Sequence, residues 1–231
     1  MSKPAVDIKE VSRKFRRGGK DFWALRDITL CIEPGQVFVI TGRSGSGKTT
    51  LLNILGGLES ATQGSVNVCG FDLASLGKSG LADFRRNKVG FVFQACHLIE
   101  EKSAVSNVML PLMIAGVSPK EAKKRAIKHL ESVGLADISM EKVKTFSAGQ
   151  KQRTALARGL VNDPELLIAD EPTGNLDQEN GSAVFSLLIK NAAEKGKTIL
   201  IATHDLAVLP GSIENMISLE HGILVNDQKT A

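Results

Sequence analysis

Gly42-Arg43-Ser44-Gly45-Ser46-Gly47-Lys48-Thr49 carries the pattern G-x-x-x-x-G-K-T. These residue types at this spacing suit a ligand with several phosphates. Glycines accept positive φ, so the backbone can turn successive N–H groups inward onto phosphate oxygens. A helix opening directly behind the loop adds unpaired N–H groups and the positive end of its dipole. Lys48 is expected to reach the β- and γ-phosphates of such a ligand, and the Thr49 hydroxyl to ligate Mg²⁺. Thr50, next in the chain, is counted with them as a nucleotide contact.

Such a loop works only between a strand and a helix. The apolar, β-branched run Gln36–Thr41 precedes it and the helix-forming run Thr50–Leu55 follows it. A second strand-like run, Leu166–Ala169, ends at the carboxylate pair Asp170-Glu171. A carboxylate there can hold Mg²⁺ directly or through water, and its neighbour can take a proton from an attacking water. Ser147-Ala148-Gly149-Gln150 reads as a capping box at the head of a helix, an arrangement that also suits an anion.

The remaining pattern supplies a scaffold. Residues 5–11 and 22–32 alternate as strands about the break Arg17–Lys20. Gly64–Cys69, Val89–Phe93 and Thr198–Ala202 read as strands, and Met216–Leu219 with Ile223–Val225 as a closing hairpin. From about 95 to 162 the period turns helical. Ser103 opens one helix, which Pro111 is expected to kink. Ser118-Pro119-Lys120-Glu121 reads as a capping box for another, with lysines 120, 123, 124 and 128 outward. A long helix is expected at 179–194. The sum is an α/β core, a helical insertion, then the core resumed.

Composition limits the function. With aromatics at 4% and no Tyr, a stacking surface for single-stranded nucleic acid is disfavoured. Cys31, Cys69 and Cys96 are scattered and form neither a disulfide framework nor a zinc site. The +4 net charge is partly local, in Lys14, Arg16, Arg17 and Lys20 and in Arg85, Arg86 and Lys88. Those clusters read as solvated surface, or as faces toward anionic lipid or phosphate. No apolar run is long enough to span a membrane and no secretory signal is legible, so a cytosolic chain, or one on the cytosolic face of a membrane complex, is expected.

Phe146-Ser147-Ala148-Gly149-Gln150 resembles the LSGGQ signature of ATP-binding-cassette (ABC) ATPases, with Phe for Leu and Ala for the first Gly. Other elements follow in that family's order. Gln94 matches the glutamine loop, a Mg²⁺ and water contact; Gly174–Asp177 resembles the D-loop at the dimer seam; His204 matches the switch histidine at the γ-phosphate. Phe15 stands where the family places an aromatic against adenine, and could equally be a core residue. The resemblance implies the P-loop ABC-ATPase fold: a mainly parallel core sheet, an antiparallel β subdomain and an inserted helical subdomain. One ATPase domain is expected over 1–231, with core 1–94 and 163–231 and helical subdomain about 95–162. It also implies a head-to-tail dimer in which Ser147, Gly149 and Gln150 of one copy meet the ATP held by Lys48 of the other, with Glu171, His204 and Lys48 catalytic and Thr49, Gln94 and Asp170 on the metal.

Arg85–Gln94 and Ala169–Asp177 resemble most the lipoprotein-release, macrolide-export and cell-division ATPases. The implied partner is a permease with few spans and a large extracytoplasmic domain, and not nucleic acid. The implied place is the cytoplasmic face of the inner membrane. The chain would then drive lipoprotein release or drug or peptide export; the alternative is a regulatory, force-transmitting ATPase that moves no substrate. Ile99-Glu100-Glu101 departs from that branch, where a Pro is expected near Glu100.

Overall fold

A computed structural model of the chain describes residues 3–193, 196–209, 213 and 215–225. In chain order the strands are β1 (Val6–Arg17), β2 (Lys20–Ile32), β3 (Val37–Thr41), β4 (Gln63–Val68), β5 (Phe71–Asp72), β6 (Val89–Phe93), β7 (Leu166–Asp170), β8 (Thr198–Ala202), β9 (Asn215–Glu220) and β10 (Ile223–Val225). The α-helices are α1 (Lys48–Leu55), α2 (Lys78–Lys88), α3 (Ala104–Ile114), α4 (Pro119–Ser132), α5 (Ala148–Leu160) and α6 (Gln178–Ala193). The expected end of the last helix, Glu194, lies outside the described residues.

The alternating N-terminal runs form an antiparallel sheet in the order β2-β1-β4-β5. The core sheet has the order β10-β9-β3-β8-β7-β6 and is parallel except for the β9–β10 hairpin. Its central strands are apolar on both faces, as parallel strands covered on both sides must be. Leu167, Ala169, Ile199 and Ile201 face one core, which holds Val108, Leu112, Ala126, Leu130 and Leu156 of the helical insertion. Leu166, Ile168, Leu200 and Ala202 face the other, with Ile8 and Ile28 of the antiparallel sheet and Leu51, Leu52 and Leu55 of α1.

Register brings the chemistry together. Phe93 pairs with Asp170, Asp170 with Ala202, and Ala202 with Ile40. These four positions lie in one row across β6, β7, β8 and β3. Gln94, Glu171, His204 and the loop from Gly42 therefore leave the sheet along one edge, the usual binding edge of such sheets.

One capping expectation changes. Ser118 accepts from the Glu121 N–H at 3.5 Å, but Glu121 does not complete the box. Its carboxylate bonds Arg125 at 2.8 Å, an i,i+4 pairing that competes for the same side chain. The box at Ser147 is complete: Gln150 N–H donates to Ser147 Oγ at 3.3 Å, and Ser147 N–H to Gln150 Oε1 at 2.8 Å. Helix α3 runs past Pro111 to Ile114. The basic cluster of α2 is engaged within the chain: Arg85 donates to Gly57 O at 2.8 Å, Arg86 pairs with Asp83 at 3.0 Å, and Lys88 pairs with Glu165.

Candidate functional site

The loop after β3 wraps the head of α1. Gly47 caps that helix in the left-handed region, φ 111°, and a Cβ there would come within 2.6 Å of Ala24 O. No side-chain cap competes for the first N–H groups of α1, which leaves the helix end available to an anion. The turn itself is closed by Ser46 N–H on Arg43 O at 3.1 Å, and Ser46 O accepts from Gly222 N–H at 2.9 Å. Arg43, Ser44 and Gly45 are exposed at its tip.

Lys48 is buried, 6% exposed, with its ammonium committed inside the chain. Nζ donates to Gly42 O at 2.7 Å and Arg43 O at 3.3 Å, and lies 3.3 Å from Glu171 Oε1. Glu171 Oε2 lies 2.9 Å from His204 Nδ1 and accepts from the His204 N–H at 3.3 Å. Glu171 takes the left-handed region, φ 47°, held by its N–H on Ala202 O at 2.9 Å. Strained backbone of this kind persists where surrounding structure fixes it, commonly at functional sites.

Asp170 sits beneath this group. Burial pushes its carboxyl above the usual carboxylate range; a hydrogen bond from the Thr49 hydroxyl opposes this, the Glu171 charge adds to it and Lys48 opposes it. Asp170 Oδ1 is buried without a hydrogen-bond partner. A buried, orphaned carboxylate oxygen beside a threonine hydroxyl, with the Gln94 amide on the same cavity wall, is an all-oxygen donor set that fits Mg²⁺.

A cavity of about 760 Å³ unites these groups. Of the residues singled out from sequence, Phe15, Ser44, Gly45, Gly47, Lys48, Thr49, Thr50, Gln94, Asp170, Glu171 and His204 line it. Gly42, Arg43 and Ser46 belong to the loop without lining the cavity. Ser147, Gly149 and Gln150 do not reach it. They stand at the head of α5, where Ser147 and Ala148 are exposed and Gly149 packs beside Asn180.

Sequence reasoning missed Phe22, Trp23, Arg26, His221 and Gly222, which also line the cavity. The hairpin register puts Phe22 opposite Phe15, and their rings stack at 5.7 Å. Pairing the two strands about Gly18-Gly19 would have found Phe22. Nothing local to His221-Gly222 announces that the closing hairpin reaches the phosphate loop.

Residues 25–174 match the model of the ABC transporter family. The chain is 42% identical over its full length to the macrolide export ATP-binding/permease protein MacB of Bradyrhizobium diazoefficiens, of which it spans 35%. It is 39% identical to the lipoprotein-releasing system ATP-binding protein LolD of Hyphomonas neptunium, covering 98% of this chain and 99% of that one. The chain thus spans about a third of the MacB relatives and nearly all of LolD. Among solved structures, the ATP-binding cassette MJ0796, in a dimeric post-hydrolysis state bound to ADP and Pi, superposes with a TM-score of 0.88 at 37% identity, over 96% of this chain and 97% of that one. The chain belongs to the ABC transporter family, as one of its ATP-binding cassette ATPases.

Proposed function

We propose that the chain is the ATP-hydrolysing motor of a membrane complex of the lipoprotein-release or macrolide-export type. On this reading two copies close head to tail around two ATP and open after hydrolysis. The observation that carries it is the separation of the two features read as phosphate contacts. Lys48, Glu171 and His204 line one cavity, while the capped head of α5 with Ser147, Gly149 and Gln150 lies outside it. A cavity open on one side and a capped helix head elsewhere on the chain complete each other if a second copy brings the second to the first.

In this mechanism Lys48 and the loop N–H groups hold the phosphates. Thr49, Asp170 and Gln94 would hold Mg²⁺, which when bound neutralises charge on the phosphate oxygens. Glu171 orients the attacking water and accepts its proton as the bond from the γ-phosphorus to the ADP oxygen breaks. His204, on Glu171 Oε2, fixes that carboxylate and stands at the γ-phosphate. Residues 1–94 and 163–231 act as the nucleotide core, and about 95–162 as the helical subdomain facing the permease. No helix among the described residues is long and apolar enough to cross a membrane. On this reading the force passes to a membrane-spanning permease at the cytoplasmic face, expected to have few spans and a large outer domain.

Glu171→Gln should bind ATP, turn it over very slowly and elute as a dimer on sizing with ATP. Ser147→Arg in that background should remain monomeric with ATP still bound. Monomer alone in the first variant, or dimer in the second, overturns the shared site.

A further inference from the structure

The loop after β7 meets the residue after β6 through two amides. Asn175 Nδ2 donates to the main-chain oxygen of Gln94 at 3.1 Å. Gln94 Nε2 in turn donates to Asn175 Oδ1 at 3.2 Å. Gly174 permits the approach: a Cβ on it would lie 2.7 Å from Gln94 Nε2. The Gln94 side chain thus lies directly against this loop.

A primary amide has two ends of opposite chemistry. Its oxygen accepts hydrogen bonds and binds hard cations, while its nitrogen only donates. Hydrogen-bond partners decide which end faces a site. Here the sequence of partners begins at an atom whose polarity is fixed, the Gln94 carbonyl, which can only accept. It draws the Asn175 nitrogen. The Asn175 oxygen is then the end presented to the Gln94 side chain, which must answer with its nitrogen. Gln94 Oε1, with no hydrogen bond among the described residues, is the end left to the cavity that Gln94 lines.

We propose that Asn175 is a positioning residue: it transmits the polarity of the Gln94 main chain to the Gln94 side chain and so keeps the amide oxygen available to Mg²⁺. This rests on reading Gln94 as a metal contact. Gly174 belongs to the same device, because the nearest atoms a methyl there meets are those of the flexible Gln94 side chain, so it would displace the amide first.

The test uses the full chain, a non-hydrolysable ATP analogue, and Mn²⁺ in place of Mg²⁺, with water-proton relaxation reporting the ternary complex. Asn175→Ala should raise the Mn²⁺ dissociation constant about two- to tenfold, since an amide populating both orientations leaves only a fraction of molecules competent. Gly174→Ala should do the same, and analogue binding without metal should not change in either. Gln94→Glu presents oxygen at both ends, so adding Asn175→Ala to it should cost no further Mn²⁺ affinity. An unchanged constant in Asn175→Ala, or an equal loss in both backgrounds, overturns the proposal, the latter by showing that Asn175 only shapes its loop. If Gln94→Ala itself leaves Mn²⁺ affinity intact, the metal role of Gln94 fails and the proposal with it, a result separable from the other two.

Discussion

Lys48 Nζ lies 3.3 Å from Glu171 Oε1, with side chains only 6% and 15% exposed. The cation read as the phosphate ligand is therefore paired with the carboxylate read as the base. Its other contacts, Gly42 O and Arg43 O, occupy the remaining donors of the ammonium. On that reading ATP must take over at least one of these positions. Glu171→Gln removes the charge pair and a negative charge beside the phosphates, so monomeric ATP affinity should rise. The expected gain is roughly 1 kcal/mol, about fivefold. Measured in the Ser147→Arg background, to remove dimerisation, an unchanged or weaker affinity would show that the pair does not compete with nucleotide.

Asp170 titrates in the opposite sense from a salt-bridged carboxylate. Burial raises its folded-state pKa above the ordinary value of 3.8. The folded chain therefore binds more protons than the unfolded one between that value and the raised one. Stability of the nucleotide-free chain should fall as pH rises through that window. Asp170→Asn removes the dependence and should raise Tm at neutral pH by about 2–4 °C, as removal of a poorly compensated buried charge worth about 1 kcal/mol would. Metal binding needs the ionised form, so the same variant should lose the extra thermal protection that Mg²⁺ adds to ATP. Thermal scans from acid to neutral pH separate the two effects; a Tm below wild type at every pH would refute the assignment.

Gly90 predicts stability rather than activity. A Cβ on it would lie 2.2 Å from Gly159 O and 2.9 Å from the side chains of Leu167 and Pro164. Gly159, for its part, has Phe91 O at 2.9 Å from where its own Cβ would be. Strand β6 and helix α5 thus touch backbone to backbone, which joins the helix headed by Ser147 to the strand that leads into Gln94. Gly90→Ala should cost about 3 kcal/mol or more, as overpacking against backbone does, with a fall in Tm of at least about 6 °C. Lys124→Ala, on the exposed face of α4, should stay within about 0.5 kcal/mol. A wild-type Tm for Gly90→Ala would mean that β6 and α5 can separate freely.

What was legible in the sequence was local chemistry and local period. The phosphate loop, the Asp170-Glu171 pair and the Ser147 box each consist of neighbouring residues whose types state their geometry. The two-sided apolar runs Leu166–Ala169 and Thr198–Ala202 likewise announce central strands. The rest depends on register between distant strands. Gly90 looks like any strand glycine until α5 is placed on it. Asn175 looks like a turn residue until β6 and β7 are paired and Gln94 falls beside it. Glu121 failed to complete its box because Arg125 stood one turn on, a competition a motif does not include. His221 lines the cavity only because β9 pairs with β3.

Phe15 was open between a core role and an adenine contact, and its place decides what to measure. It is half-buried, lines the cavity, stacks on Phe22, and has the Arg13 guanidinium 4.5 Å from its ring centre. Neither core cluster includes it. If the base stacks on it, the ring contributes about 1–3 kcal/mol to base binding and nothing to phosphate binding. Phe15→Ala should therefore weaken ATP about tenfold or more while leaving tripolyphosphate affinity unchanged, and Phe15→Trp should retain ATP. Because Phe22 shares the platform, Phe22→Ala should weaken ATP less than Phe15→Ala does. Calorimetric titration with both ligands discriminates the alternatives. Equal losses for ATP and tripolyphosphate would place the effect in the fold of the β1–β2 hairpin, and no loss for either would remove the base from that side of the cavity.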